Sequence, residues 1–287
     1  MLRKFWFLMI LGVVGICSAE AHPANMVHVS DRIYSGAAPE DESDFEAIRK
    51  LGANTIVSVD GATPNVEAAR ALGMRYIHVP IEYSGITREQ AASLSEAMEE
   101  TTGTIYFHCH HGQHRGPAAA ALAWRLSTDC SATSATEVLK QAKTGADYKG
   151  LWAAMDMANL AELRAEKPEL VEVARVADLP AHMAMIDDAI DRLTACQKVG
   201  WSAPPHHPDI DPAQDALMIE EHYREIGRAE DATRKEDFKA WRAQAEKFSA
   251  MLKENLKAKD AAEADASFAA LQQNCKMCHA AYRNNRE

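Results

Sequence analysis

At about residue 165 the chain changes its hydrophobic rhythm, and that change narrows the folds open to it. Before it, short β-branched or aromatic runs (Thr55–Val59, Tyr76–Val79 and Thr104–Phe107) read as strands separated by helical patterns. Phe45, Ile48 and Leu51 share one helical face, and a second helix covers Asn65 to Leu72 and ends near Gly73. A third begins at Thr87, with Gln90 at capping-box spacing, and a fourth follows Pro117 through Leu126. Strands separated by helices predict an α/β domain with a central, mainly parallel sheet. Beyond residue 165 the strand signals stop. Leu179, Met183, Ile186, Ile190 and Leu193 step by 4, 3, 4 and 3; Phe238, Trp241, Ala245, Phe248 and Leu252 keep the same spacing, as do Phe268, Leu271, Cys275, Cys278 and Tyr282. A weaker helix follows Pro212, with Leu217 and Tyr223 among its apolar residues, after the Pro- and His-rich loop Trp201–Pro212. Four helices in about 110 residues predict an all-α four-helix bundle. The expected domains are 22–165 and 178–287, joined by a linker at 166–177.

Residues 1–21 carry Arg3 and Lys4, an apolar run from Phe5 to Cys17, and Ala19-Glu20-Ala21 at a small-x-small cleavage position. This is the pattern of a signal peptide, so a soluble, periplasmic protein is expected after cleavage, with an uncleaved N-terminal anchor as the alternative. Cys17 does not make a lipobox, because Ile16 is bulky where a small residue belongs. No later run approaches the roughly 20 apolar residues of a membrane span. A formal charge of −11 leaves no basic footprint for nucleic acid.

Two motifs carry chemistry. Cys275-Lys276-Met277-Cys278-His279 is C-x-x-C-H, the attachment motif of a covalently bound haem c. Thiols one helical turn apart each reach a haem vinyl group, and the adjacent His279 is placed to bind the iron axially. Both cysteines fall on the apolar seam of the last helix, which aims the porphyrin into the bundle. The second motif is Cys109-His110-His111-Gly112-Gln113-His114-Arg115, a C-x5-R loop that leaves a strand and opens a helix. Its backbone N–H groups and the helix N-terminus form a cradle for an anion. The same field favours a thiolate on Cys109. Arg115 can grip two phosphate oxygens, and Gly112 permits the tight turn. Sulfur attack on phosphorus, then hydrolysis of a cysteinyl-phosphate, is the expected chemistry. His108, His110, His111 and His114 around one thiol also admit a transition-metal site, but loop side chains of a cradle point outward, so His110, His111 and His114 are expected to shape its rim and attract phosphate. Cys130 and Cys196 are buried thiols, partners of each other, or traps for Cys109.

Residues from about 175 to 287 resemble cytochrome c′, in which C-x-x-C-H near the end of the last helix is followed by an aromatic-Arg pair, here Tyr282-Arg283. The resemblance implies a periplasmic, often dimeric haem protein with His279 as proximal ligand. An apolar residue of the first bundle helix would shield the other face, leaving five-coordinate iron open to nitric oxide or carbon monoxide, or to a redox partner. Met183, Met185 and His182 lie on that helix and are the candidates to close the site instead; Met183 sits on the heptad stripe, which favours packing.

Residues from about 28 to 160 resemble the protein tyrosine phosphatase superfamily in its small dual-specificity-like branch. The resemblance rests on Arg32-Ile33-Tyr34-Ser35-Gly36-Ala37-Ala38-Pro39 and on His108 to Arg115. It implies Cys109 as nucleophile, Arg115 as phosphate binder and a phosphorylated small molecule or protein as substrate. Two positions depart from the pattern. Gly116 stands where the family has Ser or Thr, and the loop Pro80-Ile81-Glu82-Tyr83-Ser84-Gly85 offers Glu82 instead of the usual Asp general acid. Asp60, after the earlier strand, is the fallback acid. The joint expectation is a phosphatase influenced by haem redox or gas binding; the alternative is an electron-transfer or gas-binding cytochrome with an inactive phosphatase-like half.

Overall fold

The structure is a computed structural model that describes residues 23–128, 130–229 and 235–283; the expected signal peptide, Cys17 included, lies outside the described residues. Five strands, β1 (Val27–Ser30), β2 (Ile33–Ala37), β3 (Ala53–Ser58), β4 (Arg75–His78) and β5 (Thr104–Cys109), form one sheet in the order β1-β2-β5-β3-β4. β2, β5, β3 and β4 run parallel, and only β1 pairs antiparallel, with β2. The three expected strands are β3, β4 and β5. The β1–β2 pair is not among the expected strands: Ser35-Gly36 is poor strand sequence in β2, although Val27 and Val29 of β1 carry a short β-branched alternation. Tertiary contact holds the pair, including a hydrogen bond from the Tyr106 hydroxyl to the Ala37 carbonyl at 2.8 Å.

Helices α1 (Glu42–Lys50), α2 (Val66–Ala71), α3 (Arg88–Glu100), α4 (Arg115–Ser127), α5 (Ala132–Gln141), α6 (Lys149–Ala153) and α7 (Leu160–Ala165) complete this half. The sheet is covered on both faces, so alternate residues of each strand enter different cores. Ile56, Tyr76 and Tyr106 pack with Phe45 and Ile48, while Val57, Ile77 and Phe107 pack with Leu94 and Leu122. α3 starts with the expected Thr87–Gln90 capping box. α4 is buried nearly all round, and its alanines Ala118 to Ala121 let it lie close to the sheet.

The second half is helical, as expected: α8 (Leu179–Gln197), α9 (Pro212–Ala229), α10 (Glu236–Lys257) and α11 (Ala261–Tyr282), with α8, α10 and α11 each packed on its chain neighbours. Ile186, Leu193, Ile219, Leu252, Phe268 and Leu271 form its core. No described helix is long and apolar enough to cross a membrane.

Two features differ from the expected tether between halves. The connecting segment is strapped along β4: the His78 N–H donates to the Val171 carbonyl at 2.9 Å, and the Ala174 N–H donates to His78 Nδ1 at 3.2 Å. α9 belongs to both halves, since Leu217 and Met218 join the α/β core while Ile219, Tyr223 and Ile226 join the bundle core. Its weak periodicity follows from that double role. Glu220, Glu221, His222 and Glu225 are buried and interrupt any single apolar stripe.

Candidate functional site

The loop from Cys109 to Arg115 is shaped from outside. Gly112 has φ +70°, and a side chain there would meet the β2 backbone, its Cβ 2.1 Å from the carbonyl carbon of Gly36. The loop's carbonyls are drawn outward. His110 O accepts from the Ala38 N–H at 3.1 Å, His111 O from Asn25 Nδ2 at 2.8 Å and Gln113 O from Thr144 Oγ1 at 2.6 Å. Among the described residues, the N–H groups of residues 110–114 donate to no backbone carbonyl, and α4 carries no side-chain cap. That leaves a ring of donors at the N-terminus of a thirteen-residue helix, the arrangement an oxyanion needs. Cys109 is buried, 3% exposed, at the end of β5.

The histidines of this loop diverge. His108 is fully enclosed, with Nε2 2.8 Å from the Tyr76 hydroxyl, and burial pushes it down to about 4, so it stays neutral. His114 turns inward, its ring 4.2 Å from that of Tyr148, and burial together with the Arg115 charge takes it to about 4. This corrects the expectation of an outward, phosphate-attracting His114: it is a neutral wall residue. His110 and His111 pack on each other at 4.2 Å, and burial and Arg228 lower His110. Three different directions do not make a coordination sphere. Among the described residues no group of three or more His, Cys, Asp or Glu is placed to hold a metal ion.

Arg115 is 1% exposed, and its guanidinium is crowded. Nη2 donates to Asp60 Oδ1 at 3.0 Å, to the Tyr83 hydroxyl at 3.0 Å and to Glu225 Oε1 at 2.8 Å; Nη1 donates to the Ile81 carbonyl at 3.3 Å. The group lies over the Tyr83 ring, 4.1 Å from its centroid. Arg228 Nη2 reaches Asp60 Oδ1 at 3.0 Å and also pairs with Glu225. Burial would raise the Asp60 carboxyl, but Arg115 and Arg228 hold it below the usual carboxylate range. Asp60 is therefore ionised at neutral pH and is not the fallback acid. Glu82 sits in a short bridge to Gly85, and burial raises it, with Arg115 opposing in part, which favours the protonated form a general acid needs.

Gly116 leaves a space that another residue uses. A Cβ there would lie 3.0 Å from the Cys109 nitrogen and 3.2 Å from Ser35 Oγ. The Ser35 hydroxyl is buried and has no hydrogen-bond partner. Sequence reasoning quoted Ser35 only as part of a resemblance and gave it no role. Tyr83 is named only within the Pro80–Gly85 loop, again without a role; Glu225 and Arg228 are missed, because they come from the other half of the chain and no local pattern marks them.

The bundle holds a second candidate site. A cavity of about 840 Å³ is lined by Leu179, Met183, Ile186, Ile190, Tyr223, Ile226, Phe238, Trp241, Cys275, Cys278, His279 and Tyr282. The stripe on α8 opens here: Leu179, Met183 and Ile190 are only partly buried, although Ile186 and Leu193 are core. Cys275 and Cys278 line this cavity, and Tyr223 Oη lies 3.7 Å from Cys275 Sγ. Burial raises both thiols and lowers His279 towards its neutral, ligating form. Two thiols and an imidazole on an otherwise largely apolar wall are the donor set a covalently held porphyrin requires, so the residues present fit a c-type haem. Met183 lines this wall. Met185 does not, and His182 faces the domain junction, its Nδ1 3.2 Å from that of His222.

Cys130 lies two residues before α5 and Cys196 near the end of α8; these two, Cys109, Cys275 and Cys278 are all free thiols.

No protein-family model matches the chain, and no curated protein matches it. Solved structures similar in fold include TpbA of P. aeruginosa, at 19% identity and TM-score 0.43, covering 50% of this chain and 91% of that chain. The core catalytic domain of the PP-IP phosphatase SIW14 from S. cerevisiae, determined with citrate, matches at 18% identity and TM-score 0.43 over 50% of this chain and 91% of its own. A putative phosphatase from Shewanella putrefaciens CN-32 matches at 15% identity and TM-score 0.40, covering 52% of this chain and 94% of that chain.

Proposed function

We propose that this is an exported c-type haem protein that carries a cysteine-dependent phosphatase. The observation behind the phosphatase half is the loop itself: Cys109 ends β5, Arg115 opens α4, and the amides between them are left without backbone acceptors. A phosphate monoester seated there meets those amides and Arg115. The Cys109 thiolate attacks phosphorus, the P–O bond to the leaving alcohol breaks, and Glu82 gives that oxygen its proton. Water then attacks the cysteinyl-phosphate, and Glu82 takes the proton of the water. The P–S bond breaks, inorganic phosphate forms, and the electron pair returns to sulfur. Ser35, with its hydroxyl beside the position vacated by Gly116, is the nearby group to steady that thiolate.

In the bundle half, Cys275 and Cys278 would hold a haem and His279 would bind its iron, with Met183 and Ile186 on the facing helix. Bound there, a haem supplies a one-electron couple and an iron face for a small gas. Export rests on the leader at residues 1–21. A second reading, a haem protein with a silent phosphatase half, draws support from the occupied Nη2 of Arg115.

The test is hydrolysis of an aryl phosphate by the holoprotein and by Cys109→Ser, each with haem oxidised and reduced. Turnover lost in the variant supports the phosphatase, and a redox difference supports control by the haem half. Equal background rates in both proteins favour the second reading. For the haem half, the visible chromophore must survive acid extraction in the native chain and be lost in Cys275→Ala/Cys278→Ala.

A further inference from the structure

We propose that α9 carries a tethered inhibitor of the Cys109 site: the Glu225 carboxylate occupies the grip of Arg115 that a substrate phosphate needs. The proposal rests on the phosphatase reading and adds its regulation. A phosphate held bidentately needs two adjacent N–H donors of one guanidinium. Arg115 Nε is buried and has no partner, so it is free to serve as one. The neighbouring donors on Nη2 number two by chemistry and already face three acceptors, of which Glu225 at 2.8 Å is the nearest. The charges are balanced before any substrate arrives, since Asp60 and Glu225 face Arg115 and Arg228. An incoming phosphate dianion would stand against two carboxylates at close range.

Of these two acids only Glu225 is removable. Asp60 follows β3 in the same half as the loop, whereas Glu225 reaches in from the bundle. The α/β half also lies close around it: a Cβ on Gly61 would lie 2.9 Å from Glu225 Oε2, so a side chain at 61 would shift the carboxylate from its present position. The N-terminal part of α9 is fixed to this half by Leu217 and Met218, while the part that carries Glu225 is joined to it by polar contacts. Glu221 Oε1 accepts from the Tyr148 hydroxyl at 2.8 Å, and Glu225 and Arg228 pair with Arg115 and Asp60. Charged junctions between domains separate more readily than apolar ones. The opposite side of the same turn, Tyr223 and Ile226, lines the cavity that holds Cys275 and Cys278. One helix therefore has one face on the bundle cavity and one on the phosphate grip, the kind of shared element that both sites can bias.

The experiment is binding of inorganic phosphate to the full-length holoprotein by titration calorimetry, with aryl phosphate hydrolysis measured in parallel. It compares the native chain, Glu225→Gln and Gly61→Ala. The first variant removes the charge at constant shape. The second leaves Glu225 intact and shifts its carboxylate from that position, so it still reports if loss of the buried charge harms folding. Both should bind phosphate at least about tenfold more tightly, as expected when a competent state that was a minor fraction becomes the main one. Both should raise kcat/KM by a similar factor. Unchanged or weaker phosphate binding in both, with turnover still dependent on Cys109, would overturn the proposal and make Glu225 a support for Arg115. Absence of phosphate binding and of Cys109-dependent turnover in all three proteins would remove the phosphatase reading, and this proposal with it.

Discussion

Replacing Arg115 with methionine separates the two roles assigned to that side chain. In the native chain it is 1% exposed and neutralises Asp60 and Glu225, whose side chains are 5% and 6% exposed. Arg115→Met keeps the volume and leaves two buried carboxylates with Arg228 as their remaining cation. Breaking a buried ion pair from one side costs about 3–5 kcal/mol, and the residual Arg228 contact places the expected loss near about 3 kcal/mol. At about 2–4 °C per kcal/mol for a protein of this size, Tm should fall by roughly 6–12 °C at pH 7. The pH dependence carries the sign. Asp60 is held below its unfolded value in the native fold, so its contribution is present above about pH 4 and is lost as pH falls through the folded value. The variant lacks most of that contribution, so the difference in Tm between the two proteins should be largest near neutrality and shrink below about pH 4. Calorimetric melts from pH 3 to 8 measure it. A difference of less than about 1 kcal/mol at pH 7, or one that does not change with pH, would refute the charge quartet.

Other expectations follow from the same geometry. Gly112→Ala forces a left-handed residue at about 1–2 kcal/mol and drives a methyl into β2, so Cys109-dependent turnover should be lost while the bundle chromophore is unchanged; retained turnover would contradict the described loop. Glu82→Gln should slow hydrolysis of an alkyl phosphate by about 10²–10⁴-fold and flatten the alkaline limb of the rate profile, and an intact limb would assign the acid elsewhere. Ser35→Ala removes a buried hydroxyl with no partner, so Tm should hold or rise while breakdown of the phospho-enzyme slows and a burst precedes steady state; equal rates would deny Ser35 that role.

The parts of this fold visible in the sequence are those whose cause is local. Val57, Ile77 and Phe107 sit in short β-branched or aromatic runs, and Thr87 with Gln90 is a capping box by spacing alone. The stepping of Phe268, Leu271, Cys275 and Cys278 along α11 put both thiols on the inner seam, where they line the bundle cavity. What stayed hidden depends on distant partners. Ser35-Gly36 is strand through its pairing with β1 and β5, and the close approach of the Tyr106 hydroxyl leaves no room for a side chain at 36. Asp60 looked like a spare acid until Arg115 and Arg228, one from each half, fixed its charge. Nothing local marks Glu225 on its weakly patterned helix, and its burial against Arg115 follows from how the halves dock.

Trapping the intermediate tests the central claim most directly. The holoprotein is mixed with an aryl phosphate, quenched in acid within the first turnover and digested for mass spectrometry. A single phosphoryl group on Cys109, lost in Cys109→Ser, is the predicted result. An unmodified Cys109 alongside measurable release of phosphate, or a label on another residue, would contradict the account.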